Sequence, residues 1–192
     1  MNTSQKTILN NDQIKLLGLI SEEKTITDNF YLGGGTALAE YYLHHRLSED
    51  LDFFSEQAVE VEGITIFLKK ISDNMGIKNV NYQQSFNRNL FLLSLEKQEI
   101  KTEFTYYPFS RIQEGKKIGS LKIDSLLDIA VNKVFTIYQK PRSRDFFAAQ
   151  CQKAEILKDY PTLLIDLKDE IWIDYFLDIS KKIASDQIGK AE

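Results

Sequence analysis

The chain has 192 residues, 43% hydrophobic and 27% charged, with a net charge of −4, which fits one domain carrying at most a small appendage. The acidic balance argues against a general duplex-DNA binder, and no apolar run approaches the ~20 residues that span a bilayer. A lone Cys151 and an opening MNTSQKTILN without a signal-like apolar segment make a reducing cytoplasm the expected compartment.

In chain order, Asn11 or Asp12 is placed to cap a first helix with Leu16, Leu19 and Ile20 at offsets of three and four, although Gly18 inside it weakens the pattern. NFYLGG reads as a short buried strand ending in glycine. TALAEYYLHHR has Leu38, Tyr41, Tyr42 and His45 at helical offsets. On that helix His44 and His45 would point about 100° apart, too far for one shared metal, with one packed near the strand and the other solvated. LDFFS reads as a second strand, and EGITIFLKKISDNMG as an amphipathic helix closed by Gly76. KNVNYQQ, LFLLSLE and IKTEFTYY follow as three strand-like runs. From Asp124 the period turns helical: DSLLDIAVNKVFTIY, then SRDFFAAQCQKAEIL, then two weaker segments to about residue 184.

Gly33, Gly34 and Gly35 fall between a strand and a helix, where backbone amides can approach a ligand closely and adopt φ > 0. The start of the following helix offers free N–H groups to phosphate. Thr36 is placed either to cap that helix or to donate to a phosphate oxygen. The cluster is neither a Walker A loop nor a G-x-G-x-x-G turn. In DLDFF, strand alternation puts Asp50 and Asp52 on one face, roughly 7 Å apart, with Leu51 and Phe53 turned to the core. Two such carboxylates repel unless cations lie near them. A pair of surface salt bridges would answer that need, and so would Mg²⁺ bridging to substrate phosphates.

The whole stretch GGGTALAEYYLHHRLSEDLDFF resembles the signature of polymerase-β-type nucleotidyltransferases, and more narrowly the AbiEii/AbiGii toxin family, which carries GGTALA and then HRxSxDLDFF. His45, Arg46, Ser48, Asp50, Asp52, Phe53 and Phe54 match the second part position by position. The resemblance, over roughly residues 30 to 150, implies an α+β fold with a short mixed sheet flanked by helices, and the pattern of elements divides the chain into that core with its N-terminal helix over 1–120 and a helical segment over 121–192. It implies that Asp50 and Asp52 bind Mg²⁺ or Mn²⁺, with Glu103 as third carboxylate where the family usually has aspartate. Glu99 is the alternative if the strand register differs. Gly33, Gly34, Gly35, Thr36, Arg46 and Ser48 would surround the nucleotide. Lys133, on the stripe of residues 126, 130, 133 and 137, would touch its phosphates or else snorkel to solvent. PRSRDFF resembles the family's Arg/Lys-Asp segment: Arg144 and Asp145 match, and Ala148 replaces a second acid.

The activity so implied is transfer of NMP from an NTP to an acceptor hydroxyl, with tRNA or another RNA as acceptor, by a toxin that has a cognate antitoxin. Lys140, Arg142 and Arg144 offer RNA a modest cationic footprint. Two other readings stay open. One is a transferase acting on a small antibiotic-type molecule. The other is a non-catalytic nucleotide-binding relic, suggested by Glu103 and Ala148.

Overall fold

The structure is a computed structural model and describes residues 7–139. Its contacts divide the chain into two units, Met1–Val131 and Asn132–Glu192. The sheet and the carboxylates belong to the first.

Helix α1 (Asn11–Glu22) is capped one residue earlier than expected. The Asn10 side chain accepts from the Gln13 N–H at 2.9 Å, and Gln13 Oε1 accepts from the Asn10 N–H at 3.0 Å. This reciprocal box satisfies two otherwise orphaned donors. Gly18 does not interrupt the helix, because Leu16, Leu17 and Ile20 fix its inner face. A one-turn helix α2 (Lys24–Thr27) leads into strand β1 (Tyr31–Gly33).

Next come helix α3 (Gly34–Leu38) and a π-helical turn over Ala39–Leu43. The expected helix through Arg46 therefore stops short. The His44 N–H reaches back to the Ala39 carbonyl at 2.8 Å, and His44 takes the left-handed conformation with φ 47°. Such π turns often accompany functional sites. The two histidines consequently lie outside any helix, and both are half-buried rather than one packed and one solvated.

Strand β2 (Asp50–Ser55) alternates half-buried and buried positions as the sequence pattern demands. Helix α4 (Val61–Met75) ends at Gly76, whose φ of 71° is the left-handed cap expected of a C′ glycine. Strands β3 (Asn79–Ser85), β4 (Arg88–Ser94) and β5 (Glu99–Tyr106) follow. A small hairpin of β6 (Lys117–Ile118) and β7 (Leu121–Ile123) precedes helix α5 (Leu126–Gln139). That hairpin has little apolar run to announce it; its turn residue Gly119 sits at φ 55°.

The seven strands form one mixed sheet in the order β3-β4-β5-β2-β1-β7-β6. β2 is antiparallel to β1 and parallel to β5, while β1 is parallel to β7. Leu32, Phe53 and Phe104 align across the central strands, and Phe53 stacks on Phe104 at 4.9 Å between centroids. These side chains join one core with Leu16, Leu17 and Ile20 of α1 and Ile64, Phe67, Leu68 and Ile71 of α4. The two helices thus cover one face of the sheet. The opposite face is left to the polar members of the same strands.

Candidate functional site

The register of β1, β2 and β5 assembles the site. Gly33 stands opposite Asp52, and Asp52 stands opposite Glu103. With Leu51 and Phe53 committed to the core, Asp50 and Asp52 must share the other face, and Lys101 and Glu103 lie beside them there. Of the two acids weighed on β5, only Glu103 is beside the aspartates. Glu99 is exposed at the strand's start, opposite Ser94 of β4.

The glycines fit this edge closely. Gly34 has φ 68°, and a Cβ built on it would lie 2.5 Å from Asp52 Oδ2. A Cβ on Gly35 would overlap the Arg46 guanidinium and approach Ser48 Oγ to 3.5 Å. The left-handed backbone requires glycine at 34, whereas a side chain at 35 would have to displace the end of Arg46. Arg46 also donates to the Leu47 carbonyl at 2.8 Å. Thr36 makes no capping hydrogen bond. It is fully buried, its hydroxyl donates to the Asp50 carbonyl, and it shares a 2.8 Å hydrogen bond with the Ser48 hydroxyl. Thr36 and Ser48 therefore tie the glycine turn to the start of β2.

Cations of the chain already meet the carboxylates. Lys101 Nζ lies 2.8 Å from Asp50 Oδ2. Arg88, entering from β4, donates to both Glu103 oxygens, from Nε at 2.5 Å and from Nη2 at 2.6 Å, and the Thr105 hydroxyl donates to the same carboxylate at 2.9 Å. Among the described residues, no group of three or more His, Cys, Asp or Glu side chains is arranged to hold a metal ion. Burial, then the charges of Glu103 and Asp50, push the Asp52 carboxyl up to about 6.

Asp124, at the end of β7, is a carboxylate that the sequence pattern did not single out. It is 1% exposed, and its Oδ2 would lie 3.5 Å from a Cβ on Gly33. Burial, then Asp128, raise it to about 7. Its backbone is fixed by a hydrogen bond from its N–H to the Leu32 carbonyl at 2.8 Å and by one from the Tyr42 hydroxyl to its carbonyl at 2.8 Å. The nearby signal was Ser125-x-x-Asp128, where the Asp128 N–H donates to Ser125 Oγ at 3.0 Å and opens α5. Arg88 and Lys101 were also missed. Lys101 is legible afterwards from its strand parity with Glu103, whereas Arg88 depends on a hairpin register that no local pattern supplies.

Lys133 is on α5 and half-buried, and the described members of the apolar stripe expected around it face outward. Leu126 is 44% exposed and Ala130 is exposed, whereas Asp128 and Ile129 are buried. Asp128 accepts from the Ile112 N–H at 2.6 Å and the Gln113 N–H at 3.3 Å, which turns its side of the helix inward. Arg144 and Asp145, with Lys140, Arg142, Ala148 and Cys151, lie outside the described residues. For His45, burial and then Arg46 hold the imidazole down to about 4, so it is neutral near pH 7.

A mixed sheet that aligns a glycine turn with an Asp-x-Asp strand is a nucleotidyltransferase fold. A crystal structure from H. pylori, whose description proposes a nucleotidyltransferase, superposes with a TM-score of 0.52 at 19% identity, over 75% of this chain and 70% of that one. Residues 19–147 match the family described as nucleotidyl transferase AbiEii toxin, type IV TA system, and the chain belongs to that family. The uncharacterized protein aq_aa25 of Aquifex aeolicus (strain VF5) is 32% identical over 126 residues, or 64% of this chain. The match spans 56% of that relative's length.

Proposed function

We propose that the protein transfers NMP from an NTP to an acceptor hydroxyl, with RNA as the acceptor class, as the toxin partner of an antitoxin. The single observation that carries this reading is the register Gly33–Asp52–Glu103 across three strands, with Gly34 pressed against the Asp52 carboxylate. In the reaction the acceptor oxygen bonds to the α-phosphorus, the bond to the β,γ-pyrophosphate breaks, and the hydroxyl proton departs.

Asp50 and Asp52 would hold Mg²⁺ or Mn²⁺. The donor set fits, because Mg²⁺ typically takes one or two carboxylates and completes its shell with water and substrate phosphates. The ion would supply charge to steady the triphosphate and the leaving pyrophosphate. Gly34 and Gly35 let the Asp52 carboxylate and the Arg46 guanidinium lie against the turn that would cradle the phosphates. Arg46, behind Gly35, contributes positive charge. Glu103, beside Asp52 on the neighbouring strand, would complete the ion's site or accept the hydroxyl proton. Lys133, Arg144 and Asp145 are assigned to the nucleotide on the family resemblance alone.

The test is labelling of total RNA, or of small hydroxylated acceptors, with radiolabelled NTPs and Mg²⁺. The Asp50→Asn/Asp52→Asn variant is expected to lose labelling completely while its circular dichroism matches wild type. Unchanged labelling rejects the assignment, and labelling of small acceptors alone moves it to the antibiotic-type class. The Arg88–Glu103 and Lys101–Asp50 pairs favour one second reading, a nucleotide-binding protein without transfer. Calorimetry separates the two: Mg²⁺-NTP binding without pyrophosphate release would support the second.

A further inference from the structure

The sheet ends in two unlike edges. On one side β6 is only 2 residues long and begins with Lys117, which leaves almost no backbone to pair. The other edge, β3, runs for 7 residues as NVNYQQS. Its pairing with β4 is continuous from Asn79↔Ser94 to Ser85↔Arg88, with no bulge to twist it away. It carries no charge and no proline, the usual protections of an edge strand. Among the described residues no strand pairs with its outer side, so alternate residues along it direct N–H and C=O groups outward. Six of the positions are exposed and Val80 is half-buried. Beyond its end, Phe86 is 98% exposed, and it holds a left-handed φ of 58° that a bulky residue seldom adopts.

We propose that β3 is an interface for a second copy of this chain, joined antiparallel, edge to edge, about a two-fold axis at Tyr82. The exposed backbone calls for an extended strand, and β3 itself satisfies every requirement of its own surface. With the axis at Tyr82, Asn81 faces Gln83 of the second copy, Val80 faces Gln84 and Asn79 faces Ser85. Amides and a hydroxyl meet uncharged neighbours throughout, whereas a charged strand would find no counter-ion on β3. Tyr82 packs on Phe91 and donates to Asn89 Oδ1 at 2.8 Å, and its exposed 41% would meet its own copy at the axis, a cross-strand aromatic pair that favours sheet association. The same register carries Phe86 past the end of β3 to Ile77 and Lys78 of the second copy, where the half-buried Ile77 and the lysine stem offer it apolar cover. The two sheets become one, and the isologous contact closes without leaving β3 free to build filaments. β4 and β5 separate this edge from β2, so the carboxylates take no part in it.

Sedimentation velocity on the full chain tests the proposal. Wild type is expected to form a dimer at tens of micromolar. Asn81→Lys/Gln83→Lys and Asn81→Glu/Gln83→Glu should each be monomeric, because each sets like charges opposite one another. Mixing the two should restore a dimer, since lysine then faces glutamate at both positions. A wild type that stays monomeric at several hundred micromolar overturns the proposal. So do charge variants that still dimerise alone, or a mixture that stays monomeric. If circular dichroism shows either charge variant unfolded, Tyr82→Cys in a Cys151→Ser background decides. Antiparallel partners at ~4.5–5.5 Å between Cα atoms are within disulfide reach, so oxidation should yield a covalent dimer. Its absence also overturns the proposal.

Discussion

At the scale of single residues, Asp52 is a carboxylate whose surroundings oppose its charge. Its ordinary value is 3.8, and in the folded protein it is about 6. Because the folded value is the higher one, the folded state holds its proton while the unfolded chain has already released it. Stability attributable to this group therefore falls as pH rises from about 4 to 6, by roughly 3 kcal/mol at most. Without divalent metal, Asp52→Asn should melt higher than wild type at pH 7 to 8, and the gain should vanish near pH 4. Thermal denaturation across that range is the check. Arg88 presents the reverse case. Its removal leaves the 7%-exposed Glu103 carboxylate with Thr105 but without its guanidinium. Arg88→Ala should cost about 1–3 kcal/mol in urea denaturation. Arg88→Ala/Glu103→Gln should recover part of that, because the uncompensated charge is gone.

At the scale of elements, the turn from β1 into α3 is the most constrained segment. Gly34 combines a φ of 68° with a blocked Cβ direction. Gly34→Ala should cost about 1–2 kcal/mol for the backbone conformation alone, and more for the displacement of Asp52. NTP-dependent labelling should drop further than stability does, since the displaced group is the carboxylate itself. Parallel denaturation and labelling assays compare the two. Strand, glycine turn and Asp-x-Asp strand were all legible, because alternation and glycine spacing are local signals. The π-helical turn was not. Helical periodicity continues through His45, while the chain leaves the helix at His44 under the demand that Arg46 and Ser48 reach Gly35 and Thr36. The face of α5 was misjudged for a similar reason, since Asp128 is drawn inward by backbone donors from Ile112 and Gln113.

At the scale of the whole molecule, one apolar layer positions everything. Phe53 lies between α-helices and sheet, fully buried against Phe104, two residues along the strand from Leu51 and next to Asp52. Phe53→Ala should cost about 3–5 kcal/mol and lower the melting temperature by several degrees, which calorimetry would read directly. Among the described residues no helix is long and apolar enough to cross a membrane.

By itself, the amino-acid order determined the five strands β1 to β5, which face of β2 is apolar, and that Asp50 and Asp52 share the polar one. Those properties follow from the two-residue repeat of a strand and the conformational freedom of glycine, and both are written locally. Only the tertiary structure decided that Glu103 rather than Glu99 stands beside Asp52, that Arg88 and Lys101 hold carboxylates, and that Asp124 joins the glycine turn. Each depends on strand register between segments tens of residues apart, set by core packing rather than by any neighbour in sequence.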